Sequence, residues 1–467
     1  MSHIRRASWA GVAAAVWLAG CAVGPDYERP ALDVPGAYRE PAAAAQAAAP
    51  AEGEWWRLFA DPDLDALEEQ VRIANQDLQL AIARVDEARA TARIARSELM
   101  PTVTLDPSYT VGKVSPNRPL APAARQNGTY FQDVVIPFDL SYEIDLWGRV
   151  RRSFESATAA ARASERDFEF VSLSLAAEVA TEYFGVRSLD AQAAVLDRSR
   201  DVFAEQLRVV EARRRAGLVS DLDVAQARTQ LASTIGRQAD VARQRAELEH
   251  SLAVLCGQPA SGFSIAERPL DALPPEIPAG VPSDLLARRP DVVEAEQNLV
   301  SANAEIGVAK ALFFPQVRLT GAAGLESVSL TDVARWESRL WEIGPSISMP
   351  IFEGGRLRAN LSAAEARWAQ SVASYRETVL GAFRDVEDAL VGVRLRADQD
   401  AAVRDAVEAS GRAAEVARAQ YDRGIVDYLQ VAVAEATHLD LELQAAQVAE
   451  QRLDASIQLV KAIGGGW

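Results

Sequence analysis

Cysteine is nearly missing from this chain. Of 467 residues only Cys21 and Cys256 are cysteines, and the first closes an amino-terminal leader. Cys256 is thus left without a partner, which excludes a disulfide framework and makes it a small buried side chain. Histidine is as scarce: His3 belongs to the leader, and His250 and His438 each stand alone in helical sequence. No metal-ligand cluster, Gly-rich phosphate loop or nucleophile motif appears. The expectation is a protein that is not an enzyme and holds no metal or cofactor. Basic residues are not in excess either, and a formal charge of −17 sets nucleic acid aside as a partner. Beyond the leader there is no run of roughly 18 apolar residues, hence no transmembrane helix.

Proline is absent from Phe138 to Gln258 and again from Ile351 to Trp467, two stretches rich in Ala, Leu, Glu, Arg and Gln. High helix propensity without a breaker predicts very long helices. One strong turn signal interrupts each stretch: Gly217, followed by Ser220 and Asp221, and its counterpart Gly424. Each stretch therefore reads as a helical hairpin, and at ~1.5 Å per residue the limb from Gly148 to Gly217 spans roughly 100 Å. Asp221 and Asp223 suit a helix start better than paired acid–base chemistry.

What the chain does contain, it contains twice. Gly148-Arg149-Val150-Arg151 recurs as Gly355-Arg356-Leu357-Arg358, and Gly217-Leu218-Val219 as Gly424-Ile425-Val426, each 207 positions on (148 to 355, 217 to 424). The same step carries Leu252 onto Leu459 and Gly257 onto Gly464. Earlier, Leu99-Met100-Pro101-Thr102-Val103 answers Phe313-Phe314-Pro315-Gln316-Val317. The unit is too long for a solenoid repeat. One structural element built twice suits a protein that surrounds something.

A period of two precedes each hairpin. Val103, Leu105, Tyr109 and Val111 alternate with polar neighbours, as do Phe138, Leu140, Tyr142, Ile144 and Leu146; Val317 and Leu319, then Trp341, Ile343, Ile347 and Met349, continue the pattern in the second copy. Four strands are predicted, at about 101–112, 129–147, 315–325 and 336–352. A soluble sheet packed on helices gives the same alternation. Against it stand aromatic residues near the strand ends, Phe131, Trp147, Phe313, Trp336 and Trp341, as in a membrane-interface girdle. Lipid cannot solvate an open sheet edge, and four strands fall short of the ~8 that close a single-chain barrel. Membrane strands here must be completed by further copies of the chain.

The leader, residues 1–20, places Arg5 and Arg6 before an apolar run that ends in Leu18-Ala19-Gly20-Cys21. This is a secretory signal, too short for an anchor, and its end resembles the bacterial lipoprotein signal in which the cysteine, here Cys21, is acylated. Residues 21–54 are rich in Pro and Ala and read as an extended tether with little to pack. The first repeat then covers 55–257, a connector 258–283 and the second repeat 284–467.

Cys21 to Pro30 (CAVGPDYERP), Trp55-Trp56 with Asp61-Pro62, Leu285 to Val292 (LLARRPDV) and Ile306 to Pro315 (IGVAKALFFP) together resemble the outer-membrane factors of the OprM and NodT group, relatives of TolC. The resemblance covers essentially the whole mature chain. It implies a mainly α-helical lipoprotein whose homotrimer forms a twelve-stranded barrel in outer-membrane lipid, a twelve-helix periplasmic tunnel and a mixed equatorial domain. The implied partners are a periplasmic adaptor and an inner-membrane transporter of the RND type, and the implied activity is passive conduction of exported substrates. It further implies that Gly217, Leu218, Val219, Ser220 and Asp223, with Gly424, Ile425 and Val426, form the tip where the adaptor docks. Tyr421, Asp427, Tyr428 and Leu429 would narrow the closed channel. Val433 stands where many relatives have an acid, so a ring of Leu429 or Asp427 would replace a charge-paired gate. The competing expectation is a coiled-coil lipoprotein or adaptor that crosses the periplasm without a pore; a lipid-facing sheet would argue against it.

Overall fold

The computed structural model describes residues 22–40, 53–113, 115, 130–278, 280 and 282–465. The leader and Cys21 lie outside the described residues, so the lipidation site has no structural account. Two short helices, α1 (Pro62–Ala74) and α2 (Gln76–Ser97), lead into strands β1 (Thr102–Leu105), β2 (Ser108–Lys113) and β3 (Tyr130–Ile144). A hairpin of α3 (Arg149–Arg215) and α4 (Asp221–Leu255) completes the first copy. The second copy runs through α5 (Pro282–Arg288), α6 (Pro290–Ala311), β4 (Gln316–Ser327), β5 (Arg339–Ser348), α7 (Arg356–Asp422) and α8 (Tyr428–Ala462). The duplication holds to the residue: α3 and α7 have 67 residues each, α4 and α8 have 35, and α2 and α6 have 22. Among the described residues no helix is long and apolar enough to cross a membrane.

The helices are long because nothing stops them and because their buried residues keep coiled-coil spacing. Along α3, Leu189, Leu196, Phe203 and Val210 are buried at every seventh position, and α8 buries Leu439, Leu453 and Val460 on the same period. A seven-residue repeat holds one seam of a helix against its partner. Leu189, Leu196 and Phe203 of α3 pack there with Val241 of α4 and Leu439 of α8. Full burial of each such side chain contributes about 1.5–3 kcal/mol.

Two compact units emerge, and neither coincides with a repeat. The first comprises residues up to 31 with 85–164 and 295–375; the second comprises 32–84, 165–294 and the chain from 376 onward. Each draws the same piece from both copies, because the copies pack side by side rather than folding separately.

The first unit holds the sheet. Its order is β1-β3-β4-β5, all antiparallel, with β2 also on β3. Leu105 faces Phe138 and Ser108 faces Val135, so β1 and β2 are one predicted strand interrupted at Asp106-Pro107. In the register shared by both, Asp106 falls opposite Pro137 and donates its amide to the Pro137 carbonyl at 3.4 Å, while Pro137 has no N–H to return the bond. The sheet buries little on either face: β1 is exposed throughout and β5 nearly so, with Trp341 79% and Ile347 71% exposed. A soluble sheet packed on helices would bury one face, so that alternative fails. The girdle expectation needs one correction. Trp336 and Trp341 are exposed, but Trp147 stacks on Phe314 at 4.7 Å and donates its indole N–H to the Pro315 carbonyl at 2.8 Å, joining the two copies.

The tether expectation is corrected too, for residues 22–40. In the first unit the Val23 amide donates to Trp147, Arg152 pairs with Asp26, and Arg29 and the Tyr27 hydroxyl both donate to Glu296. In the second unit the amides of Arg39 and Glu40 donate to Glu387, and Arg394 pairs with Glu40. The backbone is extended, as a proline-rich stretch demands. The few polar side chains between the prolines pin it down.

Candidate functional site: the two hairpin turns

Both turns lie in the second unit and are built alike. At the end of α3 the Gly217 amide donates to Arg214 and the Leu218 amide to Arg213; at the end of α7 Gly424 donates to Tyr421 and Ile425 to Gln420. Gly217 and Gly424 take φ of +75° and +74°, the left-handed conformation that closes a helix in this way. The return limbs start on matching caps. The Ser220 hydroxyl accepts from the Asp223 amide while the Asp223 carboxylate accepts from the Ser220 amide, and Asp427 accepts from the Gln430 amide. Ser220 and Asp223 of the expected docking tip are thus engaged in a reciprocal cap. Leu218 (74%) and Ile425 (65%) project outward, with Val219 and Val426 half-buried behind them.

The four residues expected to narrow the channel separate into two pairs. Tyr421 and Tyr428 are buried, edge to face at 5.7 Å, in a cluster with Val210, Ala227 and Val431. Burial pushes the Tyr428 phenol up to about 12. Asp427 and Leu429 remain exposed. The position equivalent to Leu429 in the first hairpin is Leu222, which sequence reasoning passed over and which is also exposed.

Charges brace the turns at three levels. Between hairpins, Arg213 of α3 reaches Asp422 at 3.3 Å and the Tyr421 carbonyl at 3.4 Å, with its guanidinium 4.4 Å over the Tyr421 ring. Within the first turn Arg214 pairs with Asp221, and this hydrogen-bonded partner holds the exposed Asp221 carboxyl below its usual range. Positions 214 and 221 correspond to 421 and 428, so an exposed ion pair in one copy is a buried aromatic pair in the other. Farther along each hairpin, Arg228 of α4 pairs with Glu211 of α3 at 2.7 Å, and Arg418 of α7 pairs with the buried Glu435 of α8. These too are equivalent positions, with the charges exchanged. Gln206 donates to Glu435 and accepts from the Tyr428 hydroxyl. Val433 had suggested a turn without charge pairing; Glu435 supplies the acid two residues later. The signal was present in the 207-residue step as a swap of sign.

The segments that carried the family resemblance lie elsewhere and are structural. Trp55, Trp56 and Phe59 are buried, and Asp61 caps α1 while accepting from Tyr183 at 2.9 Å. Arg289 is buried and ties Asp291 to Asp385 and to the carbonyl of Ala462. Among the described residues no group of His, Cys, Asp and Glu could hold a metal ion.

Paired hairpins of this length, a sheet that buries little on either face and a strict internal duplication define a class of channel-forming chain. Residues 67–258 and 281–465 match the family described as Outer membrane efflux protein. The chain is 34% identical to the pyoverdine export outer membrane protein OpmQ of Pseudomonas aeruginosa over 89% of its own length and 87% of that protein's. It is 33% identical to the toluene efflux pump outer membrane protein TtgI of Pseudomonas putida over 97% of each. Among solved structures, the outer-membrane channel OprN superposes with a TM-score of 0.88 at 31% identity, covering 96% of this chain and all of that one. The chain belongs to the outer membrane efflux protein family. It is an outer-membrane exit channel of an efflux pump, mainly helical and internally duplicated.

Proposed function

We propose that three copies of the chain join edge to edge, closing a twelve-stranded barrel in the outer membrane and a tunnel of twelve helical limbs. The observation that carries this reading is the sheet: among the described residues, β5 at one side and the β1 and β2 pair at the other leave edges unpaired, and in hydrocarbon each unsatisfied backbone group costs several kcal/mol. The tip made of Gly217, Leu218, Val219, Ser220 and Asp223 with Gly424, Ile425 and Val426 receives the helical hairpin of a periplasmic adaptor. Exposed Leu218 and Ile425 supply the apolar contact; Ser220 and Asp223 hold its shape. Leu429 and Asp427 face the closed end, with Tyr421 and Tyr428 as the packed support behind them, and Arg213 holds one hairpin to the other until the adaptor and the inner-membrane transporter engage. Lipidation of Cys21 is an auxiliary anchor. The duct passes what its transporter delivers, so cargo as different as that named for the pyoverdine and toluene relatives is compatible with the same lumen. Protein purified in mild detergent should run as a trimer and form pores in planar bilayers; a stable monomer without conductance would refute the proposal.

A further inference from the structure

An acidic side chain that the channel reading does not use is buried at the base of the first hairpin, in the second unit. Glu68 of α1 is 0% exposed, and among the described residues neither of its carboxylate oxygens has a hydrogen-bond partner. Oδ1 of Asp65, one turn earlier, and Nε1 of Trp55 are also buried without partners. The core around them is closed by the end of α4: Asn75 donates to the Leu255 carbonyl at 2.9 Å, Gly257 packs on Ala74, and Cys256 is fully buried. An isolated carboxylate in such surroundings costs far more than a neutral acid, and the usual resolution is to keep the proton.

We propose that Glu68 is a buried proton-binding site that keeps α1 docked on the end of α4 while protonated and loosens it on ionisation. The charged groups facing it are Asp65 and Arg72 from α1, with the Cys256 thiol from the α4 terminus. Burial first, and then the Asp65 charge, push its carboxyl well above the usual range, against the opposing Arg72. The sign follows directly. With the folded value raised, docking is strongest below the ordinary carboxylate value of about 4.3, and is progressively lost as pH rises toward the raised value.

Cys256 is a natural reporter, since an alkylating reagent reaches it only when this core opens. Full-length protein in detergent is treated with a maleimide from pH 5 to 9, and modification of the Cys256 peptide is quantified by mass spectrometry for wild type, Glu68→Gln and Glu68→Leu. One released proton makes the wild-type rate, relative to either variant at the same pH, climb about tenfold per pH unit until the raised value is reached. A ratio that stays constant over the range overturns the site. The wild-type profile, corrected for the thiolate fraction of free cysteine, must rise as well; if it is flat the proposal fails even where both variants misfold.

Discussion

Removing the Arg213 side chain tests the inter-hairpin lock most directly. Arg213→Ala deletes the pair with Asp422, the bond to the Tyr421 carbonyl and the contact with the Tyr421 ring, all at the junction between hairpins. A partly exposed cation–π contact is worth about 0.5–1 kcal/mol. Asp422 is largely exposed, so the ion pair adds only about 0.2–1 kcal/mol. Together they give about 1–2 kcal/mol per chain, a shift of roughly 5–30-fold toward separated hairpins. Arg213→Lys keeps the charge without the planar fork and should fall between. Arg228→Ala is the control, because it breaks the brace with Glu211 inside one hairpin and leaves the junction intact. Resting conductance in planar bilayers, and entry of a large antibiotic into cells, should rise for Arg213→Ala and stay near wild type for Arg228→Ala. Unchanged conductance from fully assembled Arg213→Ala protein would refute the lock.

Among the described residues nothing lies within 4 Å of a Cβ on Gly217, so Gly217→Val costs backbone strain alone, about 1–2 kcal/mol; trimer levels should be normal in membrane blots while export of a reporter substrate is lost. At Gly257 the same Cβ would collide with the Ala74 carbonyl oxygen, and Gly257→Val should abolish accumulation of the protein. Leu429→Ala should widen the closed end and raise resting conductance, whereas Leu222→Ala, in the other copy, should alter adaptor coupling in export assays; identical effects on conductance would remove the distinction drawn between the two turns. Mass spectrometry of the mature amino terminus should find Cys21 acylated, and Cys21→Ala behind an ordinary signal peptide should still fractionate with the outer membrane; its recovery as a soluble monomer would count against the barrel.

The elements that sequence reasoning located are those set by local physics. Missing prolines and the glycines at 217 and 424 announced both hairpins, and the period of two announced the strands, because propensity, capping and alternation act within a few residues. The break at Asp106-Pro107 was readable in principle, yet it takes effect only because Pro137 stands opposite. Contacts across hundreds of positions were not readable. Glu296 gives no local sign that Arg29 will dock on it, and a tyrosine such as Tyr428 reads the same whether its ring faces a lumen or, as here, its neighbour Tyr421. Trp147 resembled a girdle residue because its partner, Phe314, comes from the other copy.

A chain that carries two hairpins of equal length faces a problem of self-recognition while it folds. The limbs α3 and α7 are equal in length, and so are α4 and α8, so each outgoing limb could meet the wrong return limb in the same register. The exchanged braces discriminate between these outcomes. Correct pairing sets Glu211 against Arg228 and Arg418 against Glu435. Crossed pairing would set Glu211 beside Glu435 and Arg418 beside Arg228, two repulsions in place of two attractions. Swapping one pair end for end, as in a Glu211→Arg, Arg228→Glu double variant, preserves every native contact type yet erases the label by which each limb knows its own partner.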